Sequence, residues 1–119
     1  MNNVFVYCEI EGTCVAEVSL ELLTKGRKLA DTLGVQLEAV VAGSGIIGNV
    51  EKQILPYGVD RLHIFDAEGL SPYTSKPHTA VLVNLFKQEQ PQICLMGADV
   101  VGRDLGPRVS SALHRRTHR

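Results

Sequence analysis

The sequence lacks most of the features that mark a narrow function. It has no tryptophan, and aromatic residues make up 5% of its 119 positions. Formal net charge is −1, and no basic stripe crosses the body of the chain. That removes the electrostatic case for a nucleic-acid partner. No apolar stretch approaches the roughly 20 residues of a membrane span. The start, Met1-Asn2-Asn3-Val4, has neither the basic opening and long apolar region of a signal peptide nor an Arg/Ser-rich transit composition. Cysteine is scarce: Cys8, Cys14 and Cys94 are odd in number and show no C-x-x-C spacing. A disulfide framework or thiolate metal site is poorly supported, and reduced thiols in the cytoplasm fit best. Cys8 and Cys94 sit in apolar runs and read as small buried hydrophobes.

Catalytic patterns are missing as well. No nucleophile-elbow signature accompanies a Ser-His-Asp set, and no paired carboxylates stand out. His63, His78, His114 and His118 have no metal-ligand spacing. His63, inside a strand with no paired His or carboxylate motif, reads as structural. An enzyme acting through its own side chains is therefore disfavoured.

What is present is a soluble-type composition, 45% hydrophobic and 21% charged, with enough length for one domain. Val4 to Ile10 reads as a first strand, Glu11-Gly12-Thr13 as a turn, and Cys14 to Val18 as an extended approach to a helix capped by Ser19. Leu22, Gly26, Leu29, Ala30 and Leu33 recur at helical spacing, and Gly34 ends the helix. Gly26 costs an isolated helix about 1 kcal/mol relative to Ala, so close approach to a sheet is its expected reason. Gln36 to Ala42 reads as a second strand. The Gly43-Ser44-Gly45 turn after it has the glycines of a phosphate cradle, but no Walker lysine and no G-x-G-x-x-G spacing, so it reads as a plain connection. Asn49 is placed to cap a short helix that stops at Pro56 and Gly58. Arg61 to Phe65 is a third strand, and a helix starts at Thr74 or Ser75 with Pro77 in its first turn. This alternation predicts a three-layer, Rossmann-like α/β domain with a mostly parallel sheet. The expected core is Val4, Val6, Leu37, Val40, Leu62, Ile64, Ile93 and Leu95. The strands at Val4–Ile10 and Ile93–Met96 are expected to be central.

The stretch from Gln92 to Leu113 is where function is expected. Gln92 to Met96 is a nearly continuous apolar run, as in a strand buried on both faces. Gly97-Ala98-Asp99 and Gly102-Arg103-Asp104-Leu105-Gly106-Pro107-Arg108 follow, with Gly for tight turning, Asp for capping and a Pro that fits an early helical turn. A strand feeding a helix through such a turn presents backbone N–H groups at the carboxyl edge of a sheet. Gly97, Arg103, Asp104 and Arg108 are the candidate site residues.

These residues carry a resemblance. The opening Val-Phe-Val-Tyr strand, the helix Ser19-Leu-Glu-Leu-Leu-Thr-Lys-Gly-Arg-Lys-Leu-Ala30, Tyr57-Gly-Val-Asp60 before an apolar strand, and Gly102-Arg-Asp-Leu-Gly-Pro-Arg108-Val together resemble the N-terminal domain of the electron transfer flavoprotein alpha subunit. The match runs to Leu113. Residues 1–113 are thus expected to be that domain, and the basic tail, residues 114–119, a disordered or non-native end. The resemblance implies an FAD-carrying heterodimer that takes electrons from flavin dehydrogenases, such as acyl-CoA dehydrogenases, and passes them to a quinone-linked acceptor. In that family the N-terminal domain packs on the beta subunit, and a C-terminal domain holds the FAD. The sequence stops before the strand and FAD domain with which the family continues, so no FAD-binding residue carries over and no cofactor is expected in this chain. Gly97, Arg103, Asp104 and Arg108 are then candidates for subunit contact first and for nucleotide contact second. The alternative is a free-standing AMP- or ATP-binding domain using the Gly97–Arg108 turn. A sheet ending one strand early is also expected to drive self-association of the isolated chain.

Overall fold

The computed structural model describes residues 2–114. The main sheet has four strands, β1 (Val4–Cys8), β4 (Leu37–Gly43), β5 (Arg61–Asp66) and β6 (Ile93–Leu95). They are parallel and stand in the order β5-β4-β1-β6. Between β1 and the first helix the chain makes a small antiparallel hairpin, β2 (Ile10–Glu11) and β3 (Cys14–Val15). The helices are α1 (Glu17–Leu33), α2 (Asn49–Ile54), α3 (Ser75–Glu89) and α4 (Val100–His114). No helix among the described residues is long and apolar enough to cross a membrane.

The three layers follow from the period of two along β1. Val4, Val6 and Cys8 point to one face, where they pack with Leu23 and Ala30 of α1 and Val50 and Ile54 of α2. Phe5 and Tyr7 point to the other, against Leu82, Leu85 and Phe86 of α3 and Leu105 and Val109 of α4. Every residue of β1 and β4 is buried, which is why both read as almost uninterrupted apolar runs. Burial of one such side chain is worth about 1.5–3 kcal/mol. Gly26 lets α1 lie close on this sheet: a Cβ there would fall 2.9 Å from Val6 Cγ2 and 3.0 Å from Leu37 Cδ1. Gly34 ends α1 at φ 72°, in the left-handed region that glycine occupies without strain.

Several expectations are corrected. β1 stops at Cys8, and Ile10 belongs to the hairpin. β1 is central, as expected, but its central neighbour is β4, and β6 lies at the edge with β1 as its sheet partner. Leu62 and Ile64 on one edge strand, and Ile93 and Leu95 on the other, are accordingly only half-buried. Chain order still reverses between β1 and β6, so the switch point lies where the sequence put it. Ser19 is not an N-cap. The helix starts three residues earlier, after Ala16, and the buried Ser19 hydroxyl accepts the backbone N–H of Glu9 at 2.8 Å. Asn49 is the first residue of α2 rather than its cap, because Gly48, at φ 96°, makes the corner before it. The segment 102–108 is not a turn. It lies inside α4, and Pro107 falls in mid-helix. Because α4 continues through His114, the helix reaches one residue into the segment assigned to the tail; residues 115–119 lie outside the described residues.

Candidate functional site at the carboxyl edge of the sheet

A cleft of about 550 Å³ opens at the carboxyl ends of β1 and β4, between the hairpin, the segment 70–73 and the start of α4. Its acidic residues are Glu9, directly after β1, Glu11 in the hairpin, and Asp99 before α4. The wall opposite is built around His78 of α3. His78 Nε2 lies 2.8 Å from the Leu70 carbonyl and Nδ1 lies 2.7 Å from Tyr7 Oη. A carbonyl only accepts, so Nε2 carries the proton and Nδ1 accepts the Tyr7 hydroxyl. Burial pushes His78 below its usual pKa and keeps it neutral, and burial raises the Tyr7 hydroxyl strongly. Tyr73 closes over His78, edge to face, with ring centroids 4.8 Å apart.

Glu9 and Asp99 form a carboxyl pair that the sequence did not reveal. Glu9 is 7% exposed, and its Oε2 has no hydrogen-bond donor facing it. Burial, and then the hydrogen bond with Asp99, push the Glu9 carboxyl up to about 7. Burial also opposes ionisation of Asp99, but the Glu9 hydrogen bond and the Gly102 N–H outweigh it and hold Asp99 below its usual range. A protonated Glu9 donating to an ionised Asp99 satisfies both observations.

At two places on this edge, backbone N–H groups of the kind that hold a phosphate are taken by carboxylates of the same chain. Asp66, at the end of β5, accepts Gly45 N–H at 2.9 Å, Ile46 N–H at 2.9 Å and Ile47 N–H at 3.3 Å. The Gly43–Gly48 turn therefore cradles a carboxylate of the same chain. These bonds depress the Asp66 pKa. At the start of α4, Asp99 Oδ1 accepts Gly102 N–H at 3.1 Å, as expected of a capping Asp. Gly102 is required there, because a Cβ would collide with the Gly97 carbonyl oxygen.

The four predicted site residues do not converge. Gly97 is buried under the carboxyl pair: a Cβ on it would fall 2.8 Å from Glu9 Oε2 and 3.2 Å from Asp99 Oδ1. Asp104 faces α3, where it accepts the Tyr73 hydroxyl at 2.7 Å and the Ser75 hydroxyl at 2.6 Å, and it pairs with Arg108 Nε at 2.8 Å. Ser75, then Arg108 and Tyr73, hold the Asp104 carboxyl well below the usual range. Arg108 lines a groove between α3 and α4, and Arg103 lines a second groove beside β6 with Met96 and Gly97. Neither arginine lines the cleft. His63, expected to stand without a carboxylate, has one. Its Nε2 lies 2.6 Å from Oε1 of the fully buried Glu38 on β4, which also accepts Asn3 Nδ2 at 2.6 Å. This network ties β5 to β4 away from the cleft.

A nucleotide cofactor fits this edge poorly. The pyrophosphate of FAD, or the phosphate of AMP, needs free N–H groups and cationic side chains. Here it would meet Glu9, Glu11 and Asp99. Among the described residues no cluster of three or more His, Cys, Asp or Glu side chains is arranged to hold a metal ion.

Comparison with known proteins places this architecture. The model of the electron transfer flavoprotein domain matches residues 4–116. The chain belongs to the electron transfer flavoprotein domain family. It is 40% identical over 112 residues to the FixB protein of Clostridium saccharobutylicum, covering 94% of this chain and 33% of that protein. It is 36% identical over 111 residues to the electron transfer flavoprotein subunit alpha of Clostridium acetobutylicum, covering 93% and 33%. To the acryloyl-CoA reductase electron transfer subunit beta of Anaerotignum propionicum it is 34% identical over 112 residues, covering 94% and 30%. The chain thus spans about a third of the length of these electron transfer flavoprotein relatives. The alpha-subunit resemblance carried by the four sequence segments agrees with the FixB and subunit alpha relatives.

Proposed function

We propose that this chain is the N-terminal, subunit-packing domain of an electron transfer flavoprotein alpha-type subunit. FAD is held by a further domain of the parent protein, and a beta subunit packs on this one. The parent heterodimer works in the cytoplasm and carries electrons on that FAD from flavin dehydrogenases to a quinone-linked acceptor. The domain itself contributes architecture and no catalytic side chain.

The observation that carries this reading is the occupancy of the N–H groups at the carboxyl edge. Asp66 fills the glycine turn after β4 and Asp99 takes the Gly102 N–H at the start of α4, where a nucleotide-binding domain leaves such groups for phosphate. The same edge exposes apolar side chains, Ile47 at 66% and Val100 at 84%. Such exposure suits a surface that a partner covers. Arg103 and Arg108, exposed on α4, serve subunit or domain contact. The chain alone self-associates, because β6 offers an edge for further pairing.

The test is co-expression with the beta subunit of a FixB-type relative, followed by gel filtration. The chain should co-elute with the beta subunit and, when purified alone, should be colourless. Flavin absorbance retained by the chain alone, or failure to co-elute, counts against the reading.

A further inference from the structure

The groove between α3 and α4 lies away from the carboxyl edge and has a volume of about 690 Å³. Both helices spend their large apolar side chains on the sheet, Leu82, Leu85 and Phe86 from α3 and Leu105 and Val109 from α4. What lines the groove on the outer side is small: Ala80 and Val83 on α3, Pro107 and Ala112 on α4. Small side chains leave a trough in which a third helix can settle, because helices pack with the ridge of one in the groove of its neighbours. The charge on this trough has one sign. Lys76 and Arg108 line it, and among the described residues no Asp or Glu does, in a chain with 13 acidic residues against 12 basic ones. Asp104, one turn before Arg108, is spent on the Tyr73 and Ser75 hydroxyls. It joins Arg108 to the start of α3, so the two cations stand at the same end of the groove. Arg108 gives Asp104 only its Nε, and its side chain is 53% exposed, which leaves the rest of the guanidinium fork for a partner. Lys87, one turn beyond Val83 and exposed, extends the positive strip along α3.

We propose that the α3–α4 groove docks an acidic amphipathic helix of a partner protein, its apolar residues against Ala80, Val83 and Ala112 and its carboxylates on Lys76 and Arg108. This rests on the reading of Arg108 as a contact residue, and adds the face, the secondary structure of the partner and its charge. A helix laid in a groove between helices reads as apolar anchors at i, i+3, i+4 and i+7, and complementary charge along the rim sets its partner and register. An extended segment has no strand edge to pair with here, because α3 and α4 form the whole groove. A lipid surface is disfavoured as well. Helices that lie on membranes push large apolar side chains outward, whereas this face is concave and lined by alanine, valine and proline.

The test is an amide NMR titration of the ¹⁵N-labelled 119-residue chain with a helical peptide of about 15 residues. The peptide carries Leu at the i, i+3, i+4 and i+7 positions, Glu on the flanks and Ala elsewhere. A copy with Lys in place of Glu, and phosphatidylserine vesicles, are the counterparts. Saturable shifts are expected with the Glu peptide at Ala80, Val83, Asn84, Ser111 and Ala112, and at no amide of α1. Lys76→Glu should weaken binding about fivefold, because an exposed ion pair becomes a repulsion. Lys25→Glu, exposed on α1, changes net charge equally and should leave binding as it is. Ala80→Phe, at an exposed position, should fill the trough and abolish binding. The proposal is overturned if the Glu peptide gives no saturable shifts, or if the Lys copy binds as tightly. Equal losses in Lys76→Glu and Lys25→Glu, unchanged binding by Ala80→Phe, or sedimentation with the vesicles in place of peptide binding overturn it too. None of these results bears on co-elution with the beta subunit, so the two readings fail separately.

Discussion

Asp66 Oδ2 lies 2.9 Å from the backbone nitrogen of Ile46, so the last residue of β5 holds the turn that follows β4. With its bonds to Gly45 and Ile47, this carboxylate anchors the carboxyl edge of two neighbouring strands. Its pKa is depressed in the folded chain. The stabilisation is therefore complete above the unfolded value of 3.8 and is lost as pH falls through the folded value. Asp66→Ala is expected to lower the melting temperature at pH 7 and to flatten the acid limb of the melting profile. Thermal melts from pH 7 to pH 2 check both effects.

Two glycines separate two kinds of crowding. At Gly102 a Cβ meets the Gly97 carbonyl, which is backbone and cannot swing aside, so Gly102→Ala is expected to cost about 3 kcal/mol or more. At Gly26 the obstacles are side-chain atoms of Val6 and Leu37. Gly26→Ala regains about 1 kcal/mol of helix propensity and loses about 1–3 kcal/mol to overpacking, for a small net loss. Urea unfolding midpoints of the two variants, at unchanged slope, give the ranking.

Tyr7→Phe removes the donor that faces His78 Nδ1 in a buried site. The unpartnered imidazole nitrogen should cost about 1–3 kcal/mol. The same urea measurement applies, and a change under about 0.5 kcal/mol would mean that solvent replaces the hydroxyl.

Glu9 and His78 act on stability with opposite sign. The Glu9 pKa is raised from 4.5 to about 7, so between these values the folded state binds more protons and stability falls as pH rises. His78 is lowered from 6.5, so its contribution is present above that value and is lost as pH falls. Glu9→Gln removes the first effect and leaves the second. At pH 8 the variant should exceed the parent by on the order of 1–3 kcal/mol, with the difference vanishing near pH 4. Denaturant curves of both proteins at the two pH values measure it.

The sheet was legible in the sequence because β1 and β4 are buried on both faces and their residues say so directly. Gly26 and Gly34 were legible for the same kind of reason, each answering a local geometric demand. The edge position of β6 was not legible. Ile93-Cys94-Leu95 is apolar in composition, and only the pairing shows which sides are covered. Gly102 read as a turn residue because glycine usually marks one, and Pro107 as belonging to a first helical turn, yet Gly102 serves a close contact with Gly97 inside a helix that has already begun, and Pro107 lies in its middle. Ser19 misled in the same way, since its hydroxyl serves the end of β1 instead of a helix. The Glu9–Asp99 and Glu38–His63 pairs join residues far apart in sequence, where periodicity carries no signal.

Calorimetric titration of the chain with AMP, repeated with FAD, bears most directly on the central claim that its own carboxylates occupy the phosphate positions. The expected result is no saturable heat for either nucleotide. One-to-one binding of AMP at roughly micromolar affinity would contradict the claim, because Asp66 and Asp99 could not then be filling those positions.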